Sequence, residues 1–263
     1  MINSLHLLGH EIPIYGLAAA IGIFVAVIYL KVNVRKRQFA DLDRDLELAF
    51  LYALIGTAVG SKLLYLLIES GHIIENISKY GSIKTWYAYI TGGFVFFGGF
   101  IGCIAALYIY SKRAGISFSH LLQLMLPAFP LAHAISRTGC FLTGCCYGKQ
   151  AQVFFAVTYT CSNYAPNGVP LVPVQMIEAV YELLLFVLLW RDSKRSESGT
   201  KMLAEYCILY GTGRFILEFF RGDAYRGFIG PLSVSQVISL ICMAAGCAYI
   251  LHVRQDRGRR WMN

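Results

Sequence analysis

Long apolar runs separated by short polar stretches divide this 263-residue chain. The hydrocarbon core of a bilayer takes about twenty predominantly apolar residues in a helix, and runs near that length recur here. They predict seven helices over about 13–30, 45–68, 93–111, 118–143, 173–190, 203–220 and 231–252. The expected fold class is an all-α integral membrane protein with seven transmembrane helices. The run after Pro13 has no basic stretch before it and a basic one after it, the wrong polarity for a cleaved signal peptide. It therefore counts as the first helix, with the amino end outside. No linker, low-complexity tract or internal repeat interrupts the pattern, so residues 1–263 are expected to form a single membrane domain. Two polar stretches differ from the rest. Residues 69–92, with Trp86, Tyr87 and Tyr89, predict interfacial helices with aromatic anchors. Residues 144–172 carry Pro and Gly and predict a small extracytoplasmic cap.

Composition supports the membrane reading, with 57% hydrophobic and only 14% charged residues. The loops at 31–44, 112–117, 191–202 and 253–263 hold 5, 2, 4 and 4 Lys or Arg, against 2, 1 and 2 at 69–92, 144–172 and 221–230. Positive charge accumulates on the cytoplasmic side of membrane proteins, so the carboxyl end is expected inside. This asymmetry accounts for the net charge of +8 without a nucleic-acid partner. Basic runs such as Arg35-Lys36-Arg37 also suit anionic lipid head groups.

Candidate chemistry begins with Arg137 and Arg214, each inside an otherwise apolar stretch. A charge at bilayer depth costs roughly 2.5 to 3.5 kcal/mol even on lenient scales, so it needs an internal partner or a ligand. Two guanidiniums facing one interior make an anion site, and the planar fork of arginine suits phosphate. His133 lies one turn before Arg137 on the same predicted face, either as a core histidine or as a base. Arg214, Glu218 and Arg221 share another face, and Glu218 is the only nearby intrahelical acid that this reading names. Arg221 either joins that face or snorkels to head groups. Lys62 reads as a snorkelling charge. Cys103, Cys207, Cys242 and Cys247 read as packing residues. Cys140, Cys145, Cys146 and Cys161 fall at or beyond the outer boundary, where an oxidising compartment permits a bridge from Cys161 to Cys145 or Cys146 without assigning one. Zinc is not expected, because no Cys-x-x-Cys pair or outer His cluster is present. No other metal and no cofactor is expected.

The stretch His133-Ala-Ile-Ser-Arg137-Thr-Gly-Cys-Phe-Leu-Thr-Gly-Cys-Cys-Tyr-Gly-Lys149 predicts an outward-running helix that dissolves into a glycine-punctuated turn, where backbone can approach a ligand closely. It resembles the signature of the prolipoprotein diacylglyceryl transferase family, Gly-Arg-x-Gly-Asn/Cys-Phe-x-x-Gly followed by Glu or Cys and then an aromatic-Gly. Further blocks resemble that family in the same order. Ile14-Tyr15-Gly16 is similar to its Trp/Arg-Tyr-Gly, and Gly60-Ser-Lys62-Leu to its Gly-Gly-Arg-Leu. Gly92-Gly-Phe-Val-Phe-Phe-Gly-Gly-Phe-Ile-Gly102 follows its glycine block, and Pro173-Val-Gln175-Met-Ile-Glu178 its Pro-Thr-Gln-Leu-Tyr-Glu. Gly213-Arg214-Phe-Ile-Leu-Glu218-Phe-Phe-Arg221 resembles its Arg-Phe-x-x-Glu-x-x-Arg, and Leu232-Ser233-Val-Ser-Gln236 its Ile/Leu-Ser-x-Gly/Ser-Gln.

The resemblance implies transfer of a diacylglyceryl group from phosphatidylglycerol to a lipobox cysteine thiol of a prolipoprotein, in the bacterial cytoplasmic (inner) membrane, by a chain acting as a monomer among membrane lipids. It implies catalytic roles for Arg137 and Arg214, with His133 as the nearest alternative base. It implies phosphatidylglycerol contacts for Arg137, Arg214, Tyr15, Gly98, Gly99, Cys140, Gly144, Gln175, Glu218 and Arg221. Tyr15 also fits an interfacial belt, Gln175 a helix cap, and Gly98 with Gly102 a helix contact. The chain departs from the family at Phe97, where other members place His or Tyr, and at Cys140 and Cys145, where many place Asn and Glu. Phe cannot accept a proton. Rival readings are a divergent or inactive relative that binds phosphatidylglycerol and modifies another acceptor, and a small-anion transporter. The transporter reading calls for repeated halves, which this sequence lacks.

Overall fold

The computed structural model describes residues 4–7, 10–76, 93–195, 197–223 and 227–262. Helices follow the apolar runs. They are α1 Ile14–Val34, α2 Leu46–Asn76, α3 Phe96–Ala114, α4 Phe118–Met125, α5 Ala128–Thr143, α6 Val174–Lys194, α7 Gly199–Glu218 and α8 Val234–Met262. Among the described residues, four segments are long and apolar enough to cross a membrane: Ile14–Val34, Leu46–Gly71, Phe118–Thr143 and Val234–Asp256. Large apolar side chains such as Phe24, Leu67, Leu184 and Ile241 are exposed on these helices and on α6, as lipid-facing surfaces require. The protein is a helical membrane protein.

Contacts divide the chain into two compact units, Met1–Ala40 with Leu122–Asn263, and Asp41–Leu121. In the first, α1 packs on α5, α5 on α6, α6 on α7 and α7 on α8. Small residues bring the first pair close. A Cβ added at Gly139 would stand 2.5 Å from Ala18 Cβ and 3.3 Å from Tyr15 Cα. In the second unit α2 packs on α3 through Gly56, Gly60, Gly98 and Gly102, where a Cβ at any of the four would collide with the facing backbone. The helix-contact reading of Gly98 and Gly102 is therefore the one the packing shows.

The structure corrects the predicted helix at 118–143, which breaks after Met125 and restarts at Ala128. Pro127 stands at the restart and Pro130 in the next turn; each lacks the N–H that would continue the upstream ladder. Several helices overrun their predicted ends, and α2 continues to Asn76 into the stretch expected to be extracytoplasmic. Trp86, Tyr87 and Tyr89 lie outside the described residues. Short hairpins were not foreseen. β1 Ser4–Leu7 pairs antiparallel with β2 His10–Pro13, and β5 Phe228–Ile229 with β6 Leu232–Ser233.

The polar stretch after α5 folds on itself. β3 Val157–Thr158 pairs with β4 Pro170–Leu171, and Tyr159, Ala165 and Leu171 form a small core with Tyr147, Val157 and Val169 against it. Tyr159 donates its hydroxyl to the Phe141 carbonyl at 3.1 Å and Ser162 to that of Thr143 at 2.7 Å, which ties the small fold to the end of α5. Burial raises the Tyr159 pKa to about 12.

Candidate active site

Helix α5 carries His133 and Arg137 one turn apart, and α6 carries Glu178 and Glu182 one turn apart. The two helices pack, and the pairs meet as rungs. Arg137 Nη2 donates to Glu178 Oε1 at 3.0 Å, and His133 Nδ1 lies 2.6 Å from Glu182 Oε1. Tyr206 on α7 reaches the other oxygen of Glu182 at 3.5 Å. All of these carboxylates are buried, Glu182 completely.

Arg214 comes to the same place from α7. Its Nη1 stands 3.8 Å from Glu178 Oε2, so the two arginines share one carboxylate, an oxygen each. Its Nη2 lies 2.7 Å from Glu218 Oε2, one turn along, and 3.5 Å from Ser235 Oγ. Glu218 Oε2 is in turn 3.8 Å from Arg221 Nη1. Arg221 ends the chain of charges as a fork on Asp223, at 2.9 Å from Nε and 2.6 Å from Nη2. Breaking a buried pair leaves a bare charge and costs about 3 to 5 kcal/mol, so each member holds the next. Two buried polar atoms remain open here: Arg137 Nε and Gln175 Oε1 make no hydrogen bond among the described residues.

Above this network α5 ends at Gly144, whose φ of 81° is left-handed, and the turn swings Cys145 and Cys146 back over Cys140. The three Sγ atoms lie within 4.8 Å of one another. Cys140 is buried, while Cys145 and Cys146 are half-buried. Arg137 Nη1 is 3.9 Å from Cys140 Sγ, and Thr143 Oγ1 is 3.4 Å from Cys145 Sγ. The loop then pairs with the segment after α7: Gly222 N donates to Tyr147 O at 2.9 Å and Lys149 N to Phe220 O at 2.7 Å, which places Arg221 beside it. Hydrogen bonds from the Cys140 and Cys145 thiols hold the Cys146 pKa well below the ordinary thiol value, and Arg137 and Arg221 add to the effect. Three sulfurs so placed are a donor set for a soft metal ion. All eight cysteines are free thiols, and Cys161 is exposed.

The structure thus brings together Arg137, Arg214, Glu218, Arg221, His133 and Cys140 from the sequence-predicted set. Gln175 is buried and donates Nε2 to the Cys145 carbonyl at 2.8 Å, bracing the cysteine turn rather than merely starting α6. Tyr15 is half-exposed at the Gly139 crossing beside this helix. Gly144 caps α5. Gly98 and Gly99 belong to the other unit, as does buried Phe97. Lys62 there lies over the Tyr65 ring at 4.8 Å. Sequence reasoning named Glu218 as the one acid at hand and missed Glu178 and Glu182. Their four-residue spacing from each other, in register with His133 and Arg137, was the signal available.

An apolar helical bundle holding a continuous buried run of paired arginines and carboxylates, roofed by a cysteine-rich turn, defines a membrane protein with a charged interior. A profile of the prolipoprotein diacylglyceryl transferase family matches residues 3–252, and the chain belongs to that family. It is similar to a phosphatidylglycerol–prolipoprotein diacylglyceryl transferase of Clostridium tetani, 37% identical over 241 residues covering 91% of this chain and 92% of the relative. A second relative, phosphatidylglycerol–prolipoprotein diacylglyceryl transferase 2 of Clostridium perfringens, is 31% identical over 254 residues, 96% of this chain and 94% of its own.

Proposed function

We propose that this chain transfers a diacylglyceryl group from phosphatidylglycerol to the thiol of a lipobox cysteine in prolipoproteins. Family membership over nearly the whole chain supports the reaction, and one observation carries the site: Arg137 and Arg214 converge on the single carboxylate of Glu178. In the reaction the acceptor sulfur attacks a glyceryl carbon, the carbon–oxygen bond to phosphate breaks, and glycerol phosphate departs with the electron pair. Charge grows on the phosphate oxygens as that bond lengthens. Arg137 and Arg214, fixed by Glu178 and Glu218, meet that charge without reorganising, which is where preorganised donors gain most. Arg137 Nε and Gln175 Oε1, buried polar atoms without a hydrogen bond among the described residues, are the capacity left for the lipid head and its glycerol hydroxyls. Tyr15 and Arg221 complete the head-group contacts in this reading.

The proposal includes seven membrane spans in one functional membrane domain, the amino end outside, the cysteine-rich cap outside the bacterial cytoplasmic membrane, and a chain that acts alone. The test is product formation by purified protein given labelled phosphatidylglycerol and a lipobox peptide. A lipid-modified peptide is expected. Lipid binding without transfer would leave an inactive relative, and neither would remove the reading.

A further inference from the structure

We propose that Cys140, Cys145 and Cys146 bind one soft divalent cation, zinc being the fitting ion, and that its fourth position takes the acceptor thiol and holds it as thiolate for attack. The inference rests on the transfer reading above.

The geometry comes first. Sulfurs bound at about 2.3 Å to one tetrahedral ion stand about 3.8 Å apart, and the three Sγ atoms already lie within 4.8 Å of one another. Small side-chain rotations close that gap. Burial then decides the kind of site. Cys140 is enclosed and Cys145 and Cys146 are half-buried, so an ion among them is closed on the protein side and open on the other. Three protein ligands with an open fourth position mark a catalytic rather than a structural zinc. The surroundings support the ligands as an outer shell does: Thr143 Oγ1 donates to Cys145 Sγ, and Gln175 Nε2 fixes the Cys145 carbonyl.

Charge points the same way. Three thiolates around a divalent cation leave one net negative charge, and a bound acceptor thiolate makes two. Arg137, 3.9 Å from Cys140 Sγ and also paired with Glu178, and Arg221, on the segment paired with the cysteine loop, are cations close to that charge. The reaction needs such a device. An ordinary thiol with a pKa near 8.5 is mostly protonated at neutral pH. A thiol that coordinates a cation of this kind is deprotonated outright, and its proton passes to water. The sulfur lone pair then forms the bond to the glyceryl carbon while the carbon–oxygen bond breaks toward phosphate. Nothing is oxidised or reduced. Because Arg137 touches both Cys140 and the carboxylate shared with Arg214, nucleophile and leaving group are held side by side.

The experiment uses full-length protein in detergent. Zinc content should be one per chain, and cadmium added to stripped protein should raise a sulfur-to-metal absorption band. Cys140→Ser, Cys145→Ser and Cys146→Ser should each weaken binding about tenfold or more, while Cys247→Ser should leave both binding and transfer unchanged. Chelator-stripped enzyme should lose transfer about tenfold or more and regain it with zinc. Full transfer by stripped protein overturns the metal and leaves the transferase reading standing. A metal band that survives the three serine variants overturns the site. Cysteine-dependent binding with no transfer under any condition overturns the thiol-activating role together with the proposed function.

Discussion

Arg137 touches a carboxylate, a thiol and, through Nε, nothing else described, so it is the residue whose replacement should tell most about the reaction. Arg137→Ala and Arg214→Ala are each expected to lower turnover by about a hundredfold or more, the scale of losing one preorganised charge stabiliser. Lysine at either position should restore only part, because a point charge lacks the bidentate fork. Wild-type rates in a folded alanine variant would remove that arginine from catalysis. Glu178→Ala belongs to a different category. It leaves two buried guanidiniums short of a partner, and a loss of about 3 kcal/mol or more of unfolding free energy is expected, read as a lowered midpoint in detergent melts. An unchanged midpoint would mean that the arginines repartner on Glu218. The arginines, Glu218 and Arg221 were legible because a charge inside an apolar run stands out. Glu178 was quoted only as part of a motif, and Glu182 went unnoticed. A helical spacing fixes which side chains share a face, while the partner across the interface is fixed by packing between helices far apart in sequence.

Helices are where the sequence reads best, since lipid imposes a length and a composition on them. Their irregularities read worse. The break between Met125 and Ala128 follows from local prolines inside a run that hydropathy treats as continuous. The convergence of three cysteines was hidden for a related reason: spacing rules look for Cys-x-x-Cys, whereas here a helix end and a left-handed glycine fold Cys145 and Cys146 back over Cys140. At this scale the α2–α3 crossing yields a sharp expectation. Gly60→Leu or Gly98→Leu inserts a side chain where the facing helix leaves no room even for a Cβ. Overpacking costs typically about 1 to 3 kcal/mol, and a backbone collision belongs at the upper end. Leucine at Gly71, where a Cβ meets nothing, is the control. Equal melting midpoints for all three would refute the close crossing.

For the whole molecule, the proposed orientation predicts that a fluorescent protein appended after Asn263 glows and that alkaline phosphatase appended there stays inactive. The opposite result would put the cap on the cytoplasmic side. One further consequence concerns how the chain enters the bilayer during synthesis. Arg137 emerges on α5 about forty residues before its partner Glu178, and Arg214 follows later still. Until α6 arrives, α5 carries an uncompensated cation whose insertion costs roughly 2.5 to 3.5 kcal/mol. The glutamates of α6 would be equally unwelcome in lipid by themselves. Each helix is therefore a poor passenger alone and a good one in company, so α5, α6 and α7 should leave the translocon together. Nascent chains stopped at residue 172 should remain extractable by alkaline carbonate in this region, as judged by the accessibility of 128–143, and chains extended past Glu218 should not. On that outcome, the ion pairs at the centre of the site would also set the order in which the protein is built.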